Sequence, residues 1–269
     1  MNQFKGKAME NKADVLEQLA SSLANGKINI VDLTHPLGPQ TPMIKVPEGH
    51  GKQPPAVQLE PIADYRDKSG YARWSTLIVA EHAGTHFDAP GHWFTGEKFK
   101  DGTTDTINAK RFVAPASVID CTEAVERDPS FILDVQHLQD WEKMHGRIQK
   151  GSWLLFRSGW SKRFSNASAF LNEVDGSYRS PGPNPDAVRF MLERDVCGYG
   201  TETIGTDHGN AGMFDPVFPA HNLMHGANKF GMSSLNNLDQ LPPTGSIVIT
   251  APLKIVEGSG SPLRVLGLI

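Results

Sequence analysis

Cysteine is scarce in this sequence, with two residues among 269. Cys121 and Cys197 are too few for a disulfide framework or a cysteine-rich metal site, which indicates a reducing compartment. The formal net charge of −4 argues against a general nucleic-acid-binding or anionic-membrane surface. No stretch approaches the roughly 20 apolar residues of a membrane-spanning helix, and the N-terminal residues lack the apolar run of a secretory signal. These absences predict a cytoplasmic, soluble protein with no nucleic-acid partner and no membrane partner.

Glycine and proline are plentiful, with 26 and 19 residues, and they separate short apolar runs. This pattern is typical of a strand-rich, loop-rich enzyme rather than a helical bundle. The apolar spacing predicts helices over 13–25, 135–145 and 186–194, strands over 28–33, 56–62, 75–80, 117–121, 152–157, 246–251 and 264–269, and a strand–bend–strand segment over 196–205. No linker or internal repeat divides the chain. We therefore predict one mixed α/β domain over residues 28–269, preceded by a polar tail and helix over residues 1–27.

The most informative segment is Glu81–Trp93, EHAGTHFDAPGHW, which carries three histidines and one aspartate. Imidazole nitrogens and a carboxylate oxygen are ligands suited to Zn²⁺ or Mn²⁺. Three protein ligands that leave coordination positions open are typical of a catalytic metal rather than a structural one. We predict that His82, His86 and Asp88 bind one divalent metal.

The glycines and prolines of this segment disfavour a helix. If the residues around Phe87 are extended, His86 and Asp88 point the same way, and Phe87 turns into the core. His82 must then approach through a bend, and Gly84 is the residue at which a bend costs least.

His92 and Trp74 complete the set of candidates from residue type and position. His92 follows the predicted ligands closely, and an imidazole beside a metal can carry a proton near neutral pH, so we predict a catalytic role for it. Trp74 precedes a predicted strand and is a candidate to face a planar aromatic substrate. The alternative is that these side chains are unrelated core or surface residues.

The pattern H-x-G-T-H-x-D-x-P-x-H resembles the signature of the cyclase-like metal hydrolase family, which includes bacterial kynurenine formamidases and isatin hydrolases. Further blocks that resemble this family are Asp32–Leu37, Ile204–Asp207, Pro219–Asn222 and Asn237–Pro242. The resemblance runs from about residue 28 to residue 269. It implies a swivelling β/β/α domain, with a mixed β-sheet core and flanking helices, that forms homodimers.

Two positions distinguish branches of this family. Formamidases look binuclear, and their second zinc takes the histidine that matches His221 and a glutamate that matches Ser233. Serine is a poor replacement for a carboxylate ligand, so we expect one metal here and a His221 that is free to hydrogen-bond substrate. The resemblance also gives the neighbouring Ser234 a place in the substrate site, in a proton or water path. Segments that resemble the isatin hydrolase branch in particular are 101–121, 180–188, 218–223 and 251–266.

This branch implies a metal-dependent hydrolase that opens the lactam of isatin (indole-2,3-dione) to isatinate, a step of indole degradation. Mn²⁺ is its usual metal, and Zn²⁺ is the alternative. A divalent metal can acidify water and polarise the carbonyl, while His92 accepts a proton and returns it to the leaving nitrogen. His221 is expected to stabilise the carbonyl oxygen or the product carboxylate.

Three other functions remain open from the sequence. The first is an arylformamidase acting on N-formylkynurenine, which two tightly held zincs would favour. The second is a family cyclase or lyase acting on another carbonyl substrate. The third is a non-catalytic binding protein, and the intact His82, His86, Asp88 and His92 argue against it.

Overall fold

The computed structural model describes residues 3–46, 49, 51–68 and 70–269. Its α-helices are α1 (Gln3–Ala24), α2 (Thr122–Arg127), α3 (Val135–His145), α4 (Ala167–Leu171) and α5 (Pro185–Glu193). Its strands are β1 (Ile30–Asp32), β2 (Gln58–Ala63), β3 (Trp74–Ile78), β4 (His86–Asp88), β5 (Val113–Asp120), β6 (Ile132–Leu133), β7 (Trp153–Arg157), β8 (Glu173–Val174), β9 (Ser177–Tyr178), β10 (Gly182–Pro183), β11 (Gly198–Thr201), β12 (Phe230–Ser233), β13 (Ser246–Ile249), β14 (Gly260–Pro262) and β15 (Leu266–Leu268).

A mixed sheet of nine strands organises the described part of the chain, in the order β1-β15-β13-β5-β7-β11-β12-β4-β14. Strands β5, β7, β11 and β12 run parallel to one another. Antiparallel strands extend the sheet on both sides. The predicted mixed α/β fold is confirmed. The division of the chain at residue 28 stays a prediction.

Strand β7 lies within the predicted strand 152–157, and its burial explains the continuous apolar run of that segment. Its Leu154 and Phe156 belong to the hydrophobic core on one face of the sheet. Its Trp153 and Leu155 belong to the core on the other face. A parallel strand that is buried on both faces has no polar side to alternate with its apolar one. Helices α3 and α5 cover the first face.

Helix α3 has the predicted bounds because signals at both ends fix it. The Asp134 carboxylate accepts the backbone N–H of His137 at 3.2 Å, which caps the first turn. Gly146 follows the last turn with a φ of 86°, a left-handed conformation that glycine adopts without strain.

Helix α1 begins at Gln3, well before the predicted start at residue 13. Residues 4–12 lack the apolar spacing on which the prediction was based, but lysine, glutamate, methionine and alanine are good helix formers without it. Gly26, with a φ of 73°, follows the helix as predicted. Within the described ranges, no helix combines the length and the apolar character needed to cross a membrane.

Strands β12 and β14 were not predicted, although they lie on either side of β4. Their sequences, FGMS and GSP, are short and contain glycine, so neither shows an apolar run or a clear alternation. The π-helix Ala220–His225 was also missed. These three elements surround the strand that carries the predicted metal ligands.

Candidate active site

Strand β4 carries two of the predicted ligands. All three of its residues are buried, and Phe87 packs into the core with its ring centroid 4.9 Å from that of Phe230. His86 and Asp88 lie on the opposite face, where their ligand atoms come together with one from His82. The extended conformation predicted for this segment is confirmed.

Two glycines make room for these side chains. Gly231 of β12 and Gly260 of β14 both pair with Asp88, one from each side. A Cβ atom on Gly231 would lie 2.6 Å from Oδ2 of Asp88, which is closer than real Cβ atoms approach. The two strands next to β4 therefore lack side chains where the ligand groups need space.

His82 reaches the cluster through the bend at Gly84, whose φ is 60°. Nε2 of His82 lies 3.0 Å from Oγ of Ser259, and the Ser259 hydroxyl donates to Oε2 of Glu81 at 2.6 Å. Since the hydroxyl proton is committed to Glu81, the serine oxygen accepts Nε2–H of His82. Nδ1 of His82 then carries a lone pair and faces Oδ1 of Asp88 at 2.8 Å.

His86 also presents a ring nitrogen with a lone pair to the carboxylate of Asp88. Its Nδ1–H donates to the carbonyl oxygen of Gly84 at 2.8 Å, which leaves a lone pair on Nε2. This Nε2 lies 3.4 Å from Oδ1 of Asp88. The ligand atoms of His82, His86 and Asp88 all lie within 4.8 Å of one another.

This arrangement fits a divalent cation. Two imidazole lone pairs and a carboxylate oxygen repel one another unless a positive charge lies between them. Oδ2 of Asp88 is also buried and has no hydrogen-bond partner among the described residues. Backbone and serine partners fix the ring orientation of both histidines, as is usual for metal ligands.

His92 lies directly beside this cluster. It ends the 3₁₀ turn Pro90–His92, and its ring centroid lies 3.8 Å from that of His82 and 5.4 Å from that of His221. Burial, together with the nearby His82, holds the pKa of His92 well below its usual value. The imidazole is therefore unprotonated at neutral pH and able to accept a proton.

His221 lies on the π-helix and joins the cluster to a cavity of about 470 Å³. The apolar part of the cavity wall includes Ile44, Tyr178, Ile204 and Phe218. An apolar cavity with a few convergent polar groups is the usual form of a small-molecule site.

Comparisons with known proteins identify the family. Residues 31–208 match the Cyclase family model. The chain belongs to the Cyclase family. The isatin hydrolase of Roseibium aggregatum is 44% identical, over 94% of this chain and 97% of that protein. A solved isatin hydrolase bound to the product analogue thioisatinate has a TM-score of 0.93 and 44% identity, and the match covers 96% of this chain and 98% of that one. The kynurenine formamidase of Bacillus cereus is 26% identical, over 74% of this chain and 81% of that protein.

Family membership confirms the resemblance drawn from the sequence, and the solved structure confirms the fold class. The structure of this Cyclase-family chain brings five predicted site residues together, namely His82, His86, Asp88, His92 and His221. Their roles in binding and catalysis stay predictions.

Trp74 and Ser234 lie elsewhere. Trp74 is 58% exposed on the β2–β3 hairpin and is not among the residues that line the cavity next to His221. Ser234 is fully buried, its carbonyl oxygen accepts the hydroxyl of Thr85 at 2.6 Å, and its own hydroxyl lies 3.5 Å from the carbonyl oxygen of Thr203. Among the described residues, no hydrogen bond or ring contact joins either side chain to the metal cluster, and their roles in substrate binding stay predictions.

His225 is a site residue of the Cyclase-family chain to which the sequence assigned no role. It is 1% exposed, and its Nδ1–H donates to the carbonyl oxygen of Lys229 at 3.1 Å. Its Nε2 is buried without a partner among the described residues and belongs to a second group of ligand atoms, with Asp88 and His221. Burial lowers the pKa of His225 to about 4. The available signal was its spacing of four residues from His221, which places both rings on one side of a helical turn.

Proposed function

We propose that this chain is a divalent-metal-dependent hydrolase that opens the lactam of isatin to isatinate. The observation that carries the proposal is the convergence of the lone pairs of His82 and His86 on the carboxylate of Asp88, with His92 in ring contact. The relative at 44% identity over nearly the whole chain, which is an isatin hydrolase, supports this choice of substrate. The formamidase relative is more distant, which makes N-formylkynurenine the second choice.

One metal ion, Mn²⁺ before Zn²⁺, is held by His82, His86 and Asp88 in this proposal. When bound, it supplies acidification of water and polarisation of the lactam carbonyl. A second ion at Asp88, His221 and His225 would have no carboxylate of its own, because it would share Asp88 with the first ion. Ser233 pairs with His86 across β12 and β4 and offers a buried hydroxyl rather than a carboxylate. This supports the expectation of a single metal.

His92 accepts the proton of the attacking water. Its low pKa keeps the ring unprotonated at neutral pH, so the base form is present without an activating partner. The cavity beside His221 offers apolar walls to a planar bicyclic ring and polar atoms to its two carbonyl groups.

The proposed assembly is a homodimer, and the supporting observation is exposed apolar surface. Val15 and Leu16 of α1 are 60% and 57% exposed, and Leu59, Trp74 and Leu77 of the β2–β3 hairpin are each at least half exposed. Contiguous apolar side chains on a surface mark interaction sites. A second copy that covers the hairpin would also bring Trp74 of one subunit near the other subunit. Trp74 would then contact the substrate bound in that other subunit. The free Cys121 and Cys197 fit a reducing compartment such as the cytoplasm.

The test is an assay of the chelated protein with each metal and each substrate. Protein stripped with EDTA is reconstituted with Mn²⁺ or Zn²⁺, and its activity on isatin and on N-formylkynurenine is followed by absorbance. We expect no activity after chelation, and a kcat/KM for isatin that is restored by Mn²⁺ and exceeds that for N-formylkynurenine. Full activity after exhaustive chelation, or a preference for the formamide, contradicts the proposal. Light scattering on the same sample measures the oligomer.

A further inference from the structure

A single carboxylate fixes both the start of the π-helix and the ring of its first histidine. Oδ1 of Asp207 accepts the backbone N–H of Ala220 at 2.6 Å. Oδ2 of Asp207 accepts the backbone N–H of His221 at 3.2 Å and lies 2.5 Å from the ring Nδ1 of His221. Since a carboxylate only accepts hydrogen bonds, Nδ1 of His221 carries the proton in this contact.

The other ring nitrogen, Nε2, is therefore the one that faces the site. The ligand atoms of His221, Asp88 and His225 lie within 4.8 Å of one another, and the ring centroids of His221 and His92 are 5.4 Å apart. The titratable groups around His221 thus include Asp207, Asp88, His86, His92 and His225. His221 also lines the cavity proposed for the substrate.

Asp207 also affects the charge of this ring. Burial lowers the pKa of His221, but the hydrogen bond and the negative charge of Asp207, with a smaller contribution from Asp88, outweigh it and raise the pKa. A protonated imidazole donates from both nitrogens and cannot bind a metal. Because Asp207 occupies Nδ1, Nε2 is the nitrogen of His221 that is available to substrate.

We propose that Asp207 is a positioning residue that holds His221 with Nε2 toward the substrate, so that His221 delivers the proton required by the departing lactam nitrogen. This inference rests on the proposed function. The sequence alone assigns both proton transfers to His92, whereas this inference divides them between His92 and His221. His92 takes the proton of water, and His221 supplies the proton of the leaving group. A buried carboxylate that fixes the tautomer of a catalytic imidazole is a recurrent device in hydrolases.

The proposed steps balance in atoms and charge. The oxygen of water bonds to the amide carbon of the lactam while one of its protons passes to His92. The bond between that carbon and the ring nitrogen then breaks, its electron pair moves to the nitrogen, and Nε2–H of His221 protonates the nitrogen. The product is an amino carboxylate, whose acid proton is released to solvent. Transfer of a proton from His92 to His221 restores both residues.

Asp207→Asn tests the role of Asp207. Asparagine keeps one oxygen for the N–H of Ala220 but presents an amide, in place of a carboxylate, to His221. We expect kcat to fall by roughly 10²-fold or more, the usual scale of an acid–base group, with little change in KM. The alkaline limb of the kcat profile should also move to lower pH, because the acid form of His221 loses its stabilising charge.

Asp134→Asn is the matched control. Asp134 pairs with the ring of His137 at 2.6 Å, so it is also a carboxylate–imidazole pair, but it caps α3 away from the site. Asparagine caps helices well, and this variant should keep the wild-type kcat, KM and pH profile. An Asp207→Asn enzyme with an unmoved alkaline limb and wild-type kcat overturns the inference.

The protonation of the His221 ring can also be measured directly. This measurement depends neither on the folding of Asp207→Asn nor on the identity of the substrate. Long-range ¹H–¹⁵N spectra of ¹⁵N-histidine-labelled wild-type protein report which ring nitrogen is protonated, and His221→Gln identifies the signal of His221. We expect a proton on Nδ1 of His221, and a His221 with bare Nδ1 overturns the inference whether or not Asp207→Asn folds. If the wild type does not hydrolyse isatin, the proposed function fails, while the spectra still decide the Asp207–His221 arrangement.

Discussion

Gly260 lies against the imidazole of His82, at the place where the ring turns toward the carboxylate of strand β4. A Cβ atom on Gly260 would lie 2.4 Å from Cε1 and 2.9 Å from Nδ1 of His82. Real Cβ atoms do not approach this closely, so a side chain at this position would displace the ring. The glycine therefore determines whether Nδ1 of His82 can face Asp88.

Gly260→Ala should weaken metal binding. The added methyl group pushes the His82 ring away from Asp88, and one ligand is lost or misaligned. We expect at least a tenfold rise in the Kd for Mn²⁺ measured by calorimetry, since disturbing the immediate supports of metal ligands usually costs about 10- to 100-fold in affinity. Gly38→Ala is the control, because a Cβ there meets nothing within 4 Å. Equal affinities of the two variants would show that His82 is not held by this contact.

His86→Ala should abolish metal binding and activity together. His86 is 4% exposed and supplies one of the two imidazole lone pairs that face Asp88, and alanine supplies none. The measurement is the metal content of dialysed protein by mass spectrometry, alongside the rate on isatin. A variant with full metal content and full activity would refute the assignment of His86 as a ligand.

His92→Ala should separate metal binding from turnover. Its ring packs against His82, but its proposed role is to accept the proton of water. We expect the wild-type metal content and a kcat lowered by roughly 10²-fold or more, as is usual when an acid–base group is removed. Loss of the metal would instead make His92 a ligand.

Much of this site could be predicted because it is local in sequence. His86 and Asp88 share a face through the strand period of two, Phe87 alternates with them, and a glycine marks the bend that admits His82. These three relations depend only on neighbouring residues and on backbone geometry, so the spacing was enough to predict them.

The supports of the site come from distant parts of the chain, and no local pattern indicates them. The hydroxyl that sets the tautomer of His82 belongs to Ser259, and the glycines beside Asp88 lie on strands too short to show a period. His225 could not be identified from the sequence, because its place in the site depends on the fold and not on its neighbours in sequence. The fold buries its Nε2 without a partner among the described residues. The role of Ser234 comes from the resemblance alone and stays a prediction, and its hydroxyl lies 3.5 Å from the carbonyl oxygen of Thr203.

His35 should make the folded protein less stable at acidic pH, because its ring is buried. It is 8% exposed, its ring stacks on that of Phe164 at 3.8 Å, and burial lowers its pKa to about 4. The unfolded chain binds a proton near the ordinary pKa of about 6.5, so between these two values it binds more protons than the folded chain. The contribution of His35 to the free energy of unfolding is therefore complete above about pH 6.5 and is lost as the pH falls toward 4.

Histidines of the active site, such as His92 and His225, also have lowered pKa values. A variant must therefore isolate the contribution of His35 to the stability. Phenylalanine keeps an aromatic ring for the stack on Phe164 and cannot be protonated. We expect His35→Phe to lose less stability than wild type between pH 7 and pH 5, measured as the difference in the free energy of urea unfolding for metal-free protein. His145→Phe, which removes an exposed imidazole at the end of α3, is the control and should retain the wild-type dependence. Parallel curves for wild type and His35→Phe would mean that His35 does not titrate as its burial requires.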